Sequence, residues 1–556
     1  MVQGRAPHRL WSSGRAARLP LTPRIGGDYK NARSFPDSPM PNLRPSSGRA
    51  PVLLPTSPAF LRLQAARRSG DGGLGFRGRT IAFAELAAAV DDLQRWLVRH
   101  GAGAGRSVGV MAANEPAVVV ALYACWGLGA VVVPISPRST ADEAACLLTH
   151  AKAGLLVADA ARAEVARAAA AASGTAGLVV EPDLPLTPRL LRRSRARAAP
   201  PRPPAAQSVA AIAYTSGSTA APKGVVLTHQ NLLWAILACG QARGDEPDGV
   251  GLCLSPLTHV PVLVSHLLCR VLAGARAVLL EKFDVPAVLA AAERFGVTDL
   301  PLIGGMVFDV VAQGQVPASV RRTVRKVSVG GAPTPMTSKR ALADLFDGAE
   351  IIEAYGQTES TDGVLMARGT SVFDREGTVG RTNPFVHVAI RRTDGSLAGR
   401  DEEGEIVVGG PTVMQGYHRD PAATAGALRD GWLHTGDLGR RDGAGWFYLT
   451  GRVKDLIITG GENVSPAEVE AVLRAHPDVA DVAVIGTPHP RWGEQVTAVV
   501  VARDGAALDG ESLGAFAGTR LAGFKRPRRI EFVAALPRNA YNKVQTHVLR
   551  ARLGGS

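Results

Sequence analysis

Eleven residues, YTSGSTAAPKG from Tyr214 to Gly224, gather Thr215, Ser216, Gly217, Ser218, Thr219 and Lys223 behind the apolar run 209–213. Short hydroxyls and backbone N–H groups exposed by glycine can surround phosphate oxygens without bulk, and a lysine adds a point charge. Lys223 is followed by Gly224 rather than Ser or Thr, so the segment is not a Walker A loop. A polar surface turn of similar composition is the plain alternative.

Two more clusters lie downstream. Tyr355-Gly356-Gln357-Thr358-Glu359 offers an aromatic ring, a hydroxyl and a carboxylate, expected on a loop after a short strand at 350–353. A ring can stack on a nucleobase, a threonine can hold a phosphate oxygen, and a carboxylate can ligate the magnesium that accompanies ATP. GWLHTGD, ending at Asp437, places a carboxylate on an expected tight turn, where it can accept both hydroxyls of a ribose.

Positioning such groups needs a layered scaffold, and the pattern supplies one. An amphipathic helix is expected over 82–100, strands over 107–111 and 155–158, and helix–strand alternation through 275–280, 285–295 and 326–329, which is α/β patterning. After about residue 385 the chain turns to glycine-punctuated strands at 386–391, 404–408 and 445–449. A final stretch carries a helix at 466–475 and strands at 479–486 and 495–502, the size of a small α+β domain. No internal repeat is present.

The 556 residues exceed one typical domain, and 46% hydrophobic with 20% charged is ordinary for a globular enzyme. The net charge of +14 would suggest nucleic acid, but residues 1–50 and 184–207 together carry all but one of those charges. Both segments are rich in Pro, Ser or Ala without amphipathic period, and read as solvated tail and linker, so no nucleic-acid partner is expected. Residues 1–39 have the Arg- and Ser-rich, acid-poor composition of a transit peptide; a start annotated upstream of Met40 in a GC-rich bacterial genome explains them more simply. Five scattered cysteines without C-x-x-C spacing indicate neither disulfides nor zinc and point to a reducing, cytoplasmic setting. The run 117–135 has the length of a membrane span, yet Gly127, Gly129 and Pro134 divide it into a buried helix, begun by Asn114-Glu115-Pro116, and a valine strand. No membrane span is expected.

Taken in order, these motifs resemble one family. YTSGSTAAPKGVVLTH from Tyr214, GGAP from Gly330, YGQTE from Tyr355 and GEIVVGGPTVMQGY from Gly404 are followed by GWLHTGDLG from Gly431, GRVKDLIITGGENVSPAEVE from Gly451 and LPRNAYNKVQTHVLR from Leu536. The chain is similar, from about Phe76 to Leu549, to the adenylate-forming superfamily of acyl-CoA synthetases, firefly luciferase and peptide-synthetase adenylation domains. That resemblance implies a large multi-layer α/β N-terminal domain (50–452) with a distorted β-barrel-like subdomain, a hinge at 453–454, and a small mobile α+β C-terminal domain (455–556).

It also implies a two-step reaction using ATP, Mg2+ and coenzyme A: a carboxylic acid becomes an acyl-adenylate, and a thiol then displaces AMP. By motif matching, Thr215, Ser216, Gly217, Ser218, Thr219 and Lys223 would hold the β- and γ-phosphates, Thr358 the α-phosphate, and Glu359 the magnesium. Gly331, Ala332, Pro333, Tyr355 and Gly356 would frame adenine, and Asp437 and Arg452 would hold the ribose. Lys543 would be the catalytic lysine that neutralises carboxylate and phosphate. Lys454 would be the hinge, and a domain rotation would exchange Lys543 for the Gly460-Gly461 loop at the thiol tunnel.

Two positions depart from the family's usual glycines. Ala220 at positive φ would cost on the order of 1 kcal/mol, so the loop has adjusted or its phosphate grip is weaker; Asn542, before Lys543, tolerates a left-handed backbone. The segment 256–263 matches the acyl site, where Val260, Val262 and Leu263 suit an apolar or aromatic acid of small to medium size, and His259 either gates the pocket or packs against it. CoA and an acyl carrier protein present the same thiol, so a carrier-loading acyl-AMP ligase stays open. Transfer to an amine, activation of nitrite, and a nucleotide-binding pseudoenzyme stand further off.

Overall fold

The computed structural model describes residues 56–67, 72–180, 204–215, 222–331, 334–459, 462–538 and 544–554. The N-terminal tail and most of the Arg/Pro linker therefore lie outside the described residues.

The run 117–135 folds inside the protein. Pro116 occupies the first turn of helix Pro116–Gly127, where its missing N–H costs nothing, and all twelve helix residues are buried. Asn114 does not cap the helix; Glu115 is the N-cap, with no side-chain capping bond. Gly129 at φ +68° then turns the chain into strand Val131–Ile135. The Trp126 indole donates to the Ala210 carbonyl at 3.0 Å, pinning the helix to strand Val209–Thr215. No helix among the described residues is long and apolar enough to cross a membrane.

Three sheets organise the chain. One runs, in spatial order, through Lys223–Thr228, Val209–Thr215, Val131–Ile135, Ser107–Met111, Leu155–Asp159 and Ala176–Val180, with the two-residue strand Gly416–Tyr417 on its edge beside Lys223–Thr228. A second, of 14 strands, has a parallel part made of Gly73–Phe76, Arg276–Leu279, Val250–Cys253, Asp299–Ile303, Lys326–Gly330 and Glu350–Gly356. Beyond Glu350–Gly356 the pairing becomes antiparallel, through Gly363–Arg368, Thr378–Thr382, Phe447–Arg452, Trp432–Arg441, Glu403–Gly409 and His387–Arg391. This antiparallel run is where glycine-punctuated strands were expected. The third sheet contains Ile457–Thr459, Glu462–Val464, Val479–His489, Gly493–Ala502 and Arg529–Phe532, packed on helix Pro466–Arg474 through Val469 and Leu473.

The periodic elements formed as their patterns indicate, including helices Phe83–Arg99 and Val285–Phe295. Two expected loops did not. Glu350–Gly356 stays in the sheet through Tyr355 and Gly356, and Asp437 lies within strand Trp432–Arg441 rather than on a tight turn. Cross-strand pairing overrides the turn propensity of Tyr-Gly and Gly-Asp here. Lys223 likewise opens a strand, which narrows the expected loop to the residues between Thr215 and Pro222.

Candidate active site

Adjacent parallel strands with matched ends bring two of the motifs together. Gly330 pairs with Ala354, so Gly331 and Tyr355 lie side by side at the carboxyl ends of neighbouring strands, the edge where open α/β sheets bind ligands. Gly331 has φ +74°, and a Cβ there would stand 2.9 Å from Ile303 Cγ2. A Cβ at Gly356 would meet the Asp362 carbonyl at 2.1 Å, so only glycine fits. Ala332 and Pro333 lie outside the described residues.

Asp437 is the centre of one constellation. Its carboxylate accepts from the Tyr355 hydroxyl at 2.7 Å and from Arg452 Nε at 2.7 Å, one bond to each oxygen. Asp437 and Arg452 are register partners on neighbouring strands, which explains their closeness across fifteen residues of sequence. The preceding residues of the strand are braced by Glu405, which accepts from Gly436 N at 2.9 Å and lies 2.6 Å from His434 Nδ1. Burial, followed by the Asp437 carboxylate, pushes the Tyr355 phenol above its usual range, so it stays protonated and donating.

Glu359 is the centre of the second. Thr358, Glu359 and Ser360 form a single 3-10 turn after the strand, and Thr361 follows at φ +69°. A buried β-branched residue in that conformation is strained, as happens at functional sites. The Tyr417 hydroxyl donates to Glu359 Oε1 at 2.9 Å, and Met414 N donates to the Glu359 carbonyl at 2.8 Å. Lys223 Nζ stands 5.2 Å from the centre of the Tyr417 ring. Lysine, phenol and carboxylate thus form a row where the two large sheets meet. Thr215 and Lys223 are cross-strand partners at the base of the hairpin whose tip, with Ser216, Gly217, Ser218 and Thr219, lies outside the described residues.

Sequence reasoning missed the residues that hold this row. Asn231, buried, accepts from Thr228 N at 2.8 Å and donates to the carbonyls of Pro411 and Val413, both at 2.8 Å, fixing the segment that leads to Tyr417. Tyr417 itself ends the GEIVVGGPTVMQGY motif, and Asn231 falls two residues after the TH of the first motif; nothing in their types alone marked them. Asn114, also buried, bonds the carbonyls of Cys253 and Ser255 and the N–H of Leu257, and so braces the chain before His259. His259 sits at the start of helix Val260–Val262; burial, then the charge of Arg138, lowers it to about 4, leaving the imidazole neutral at pH 7.

Lys454 lies in the 3-10 turn Val453–Asp455 that joins the second sheet to the third. Gly460, Gly461, Asn542 and Lys543 are outside the described residues, as is Ala220. The chain on either side of Lys543 is closed at its base by an antiparallel bridge between Arg538 and Val544. No group of three or more His, Cys, Asp or Glu able to hold a metal occurs among the described residues.

A large α/β domain followed by a small α+β domain, with the ordered motifs described above, is the architecture of an adenylate-forming enzyme. Comparison with known proteins specifies which. Residues 61–418 match the AMP-binding enzyme family and residues 468–543 the AMP-binding enzyme C-terminal domain, and the chain belongs to this family. It is 37% identical to a feruloyl-CoA synthase of Amycolatopsis sp over 483 residues, covering 86% of this chain and 95% of that protein. With the indoleacetate–CoA ligase of Aromatoleum aromaticum it shares 31% identity over 491 residues, covering 87% and 96%. Among solved structures, ATP-bound MatB from Rhodopseudomonas palustris superposes with a TM-score of 0.81 at 30% identity, over 90% of this chain and 99% of that one. The chain is an AMP-forming acid–thiol ligase by family, and ATP, Mg2+ and CoA are the family's reactants.

Proposed function

We propose that this protein activates an aromatic carboxylic acid with ATP and transfers the acyl group to coenzyme A. The observation that carries the proposal is the Asp437 carboxylate held by Tyr355 and Arg452, together with the Glu359–Tyr417–Lys223 row, whose Glu359 follows four residues after Tyr355. The first suits a ribose and the second a polyphosphate. The 37% identity to a feruloyl-CoA synthase favours an aromatic acid.

In the first step a carboxylate oxygen bonds to the α-phosphorus while the bond to the β-phosphate oxygen breaks, and pyrophosphate leaves. Two anions must meet, so the site's work is charge neutralisation and alignment. Asp437 holds the ribose and Tyr355 lies beside adenine. Lys223 and the hairpin hydroxyls hold the outer phosphates, Thr358 the α-phosphate, and Lys543 the reacting oxygens. Glu359, oriented by Tyr417 through one oxygen, has the other oxygen for magnesium, and a hard cation among carboxylate and phosphate oxygens fits this donor set. That ion would spread the negative charge of the phosphates. In the second step a thiolate attacks the acyl carbon and AMP departs, with the C-terminal domain turned about Lys454.

A cytoplasmic site is part of this reading and rests on the five free thiols, of which Cys125, Cys239, Cys253 and Cys269 are buried. The test is incubation with Mg·ATP, CoA and a panel of aryl, cinnamic-type, fatty and dicarboxylic acids, with products identified by mass. A CoA thioester of an aryl acid is the expected product. Acid-dependent pyrophosphate without any thioester would move the acceptor to a carrier protein or an amine.

A further inference from the structure

Asp437 stands where the antiparallel pairing of its strand is broken on both sides. Toward strand Glu403–Gly409, Glu405 pairs with Leu438 and Val407 with His434, so Ile406 alone faces Thr435, Gly436 and Asp437. Toward strand Phe447–Arg452 the register slips again just past Leu438. Extra residues in one strand make a bulge, and a bulge beside a binding edge re-aims a side chain at the cost of ladder hydrogen bonds. Gly436 takes the bend with φ +73°, and no atom lies within 4 Å of where its Cβ would stand, so the bulge opens on free space.

Side chains supply the bonds that the bulge removes. Glu405 Oε1 accepts from the Gly436 N–H at 2.9 Å, and Oε2 lies 2.6 Å from His434 Nδ1. His434 Nε2 is buried without a partner, so the polar contact of the ring is the one with Glu405. Arg429 Nη2 stands 3.5 Å from the same Oε2. The Thr435 hydroxyl donates to the Ile406 carbonyl at 2.7 Å and accepts from the Asp437 N–H at 3.1 Å. The N–H groups of Gly436 and Asp437 thus both end on side-chain oxygens, which satisfies donors that a regular ladder would satisfy with carbonyls. Two side chains therefore define the backbone that presents Asp437 to Tyr355 and Arg452.

We propose that Glu405 and Thr435 are positioning residues for the nucleotide, fixing the bulge that sets where the Asp437 carboxylate meets the ribose hydroxyls. This rests on the reading of Asp437 as the ribose ligand and adds the residues that set its aim. Neither is assigned a contact with the nucleotide; both act through Asp437. With the bulge fixed, two hydroxyls find the carboxylate without rearrangement, and with it loose the oxygens lose the alignment that strong hydrogen bonds need. A hydrogen bond from a hydroxyl to a charged acceptor changes affinity roughly 10- to 100-fold.

The experiment is calorimetric titration with Mg·ATP and with its 2′-deoxy and 3′-deoxy forms, on wild type, Glu405→Ala, Glu405→Gln and Thr435→Val, with no acid present. The wild type is expected to bind ATP more tightly than either deoxy form by roughly 10- to 100-fold. In Glu405→Ala and Thr435→Val that preference falls toward unity, because ATP loses more affinity than the deoxy forms do. Glu405→Gln keeps an acceptor for the Gly436 N–H and is expected to retain most of the preference. Thr435→Val keeps the shape of the side chain and carries the test if Glu405→Ala does not fold. A preference that survives in the folded variants while all three nucleotides weaken equally marks a merely structural role; it overturns the inference and leaves the ribose reading standing. A loss in Glu405→Gln as complete as in Glu405→Ala makes charge rather than position the cause and also overturns it. A wild type that binds the three nucleotides alike, or binds none, overturns the ribose reading and the inference together.

Discussion

The Tyr417 hydroxyl donates to Glu359 Oε1 at 2.9 Å, joining the edge of one sheet to the turn Thr358–Ser360 that follows a strand of the other. Tyr417 reaches this point because strand Gly416–Tyr417 pairs with Lys223–Thr228, so the residue that orients the carboxylate is placed by the same hairpin that carries Lys223, the lysine proposed to hold phosphate. In the proposed reaction this links the phosphate grip of Lys223 to the orientation of Glu359.

Tyr417→Phe keeps the ring under Lys223 and removes only the hydrogen bond to Glu359. The expected effect is about 1–2 kcal/mol of lost orientation, roughly a 5- to 30-fold fall in kcat/KM for ATP, with a higher Mg2+ concentration needed for half-maximal rate. Titrating Mg2+ at fixed ATP checks it; unchanged magnesium dependence would detach Tyr417 from Glu359.

Asp437→Asn removes the charge that Arg452 and Tyr355 share. ATP binding is expected to weaken by roughly 10- to 100-fold, the value of charge-assisted hydrogen bonds to a ribose, whereas Tyr355→Phe, which leaves the carboxylate in place, costs less than tenfold. Calorimetric titration with ATP, without any acid present, separates this from effects on chemistry.

Lys543→Ala is expected to slow acid-dependent pyrophosphate release by roughly 10²- to 10³-fold, as loss of a transition-state charge does, while ATP affinity changes little. A thioester-forming half-reaction started from synthetic acyl-adenylate should be spared, because the lysine serves the first step. Equal damage to both half-reactions would contradict a domain rotation that exchanges Lys543 for the Gly460-Gly461 loop.

His229 is fully buried at the start of its helix, and burial lowers it from 6.5 to about 4. Between those values the unfolded chain binds the proton and the native one does not, so this histidine withdraws stability as pH falls from 6.5 toward 4, by at most about 3 kcal/mol. Glu115 and Asp362 act in the opposite direction, because burial raises them to about 7 and about 6. The clean observable is the difference between wild type and His229→Leu: the variant's thermal midpoint relative to wild type should rise as pH is lowered from 7 to 5. A difference independent of pH would mean that His229 takes up its proton equally in the native and unfolded chains, against the lowering that burial implies.

The sequence made the class legible because the chemistry-bearing residues sit in short ordered motifs, and their local chemistry survives folding: Asp437 and Arg452 do meet, and Lys223 does stand beside Thr215. Less legible was what joins motifs across the chain. Asn231 bonds residues about 180 positions away, and Tyr417 reaches Glu359 across 58, contacts that no local pattern encodes. Tyr355 and Asp437, expected on loops, are held in strands by their antiparallel partners Leu365 and Arg452, which overrule their turn-like neighbours.

Direct attack of the acid on the α-phosphate is the central claim, and oxygen tracing tests it most directly. The protein is incubated with Mg·ATP, CoA and a turned-over acid labelled with 18O in both carboxyl oxygens, and the AMP is examined by mass. One labelled oxygen per AMP, with none in pyrophosphate, is the expected result. Unlabelled AMP, or label in inorganic phosphate, would contradict an acyl-adenylate and with it the roles given to Asp437, Glu359 and Lys543.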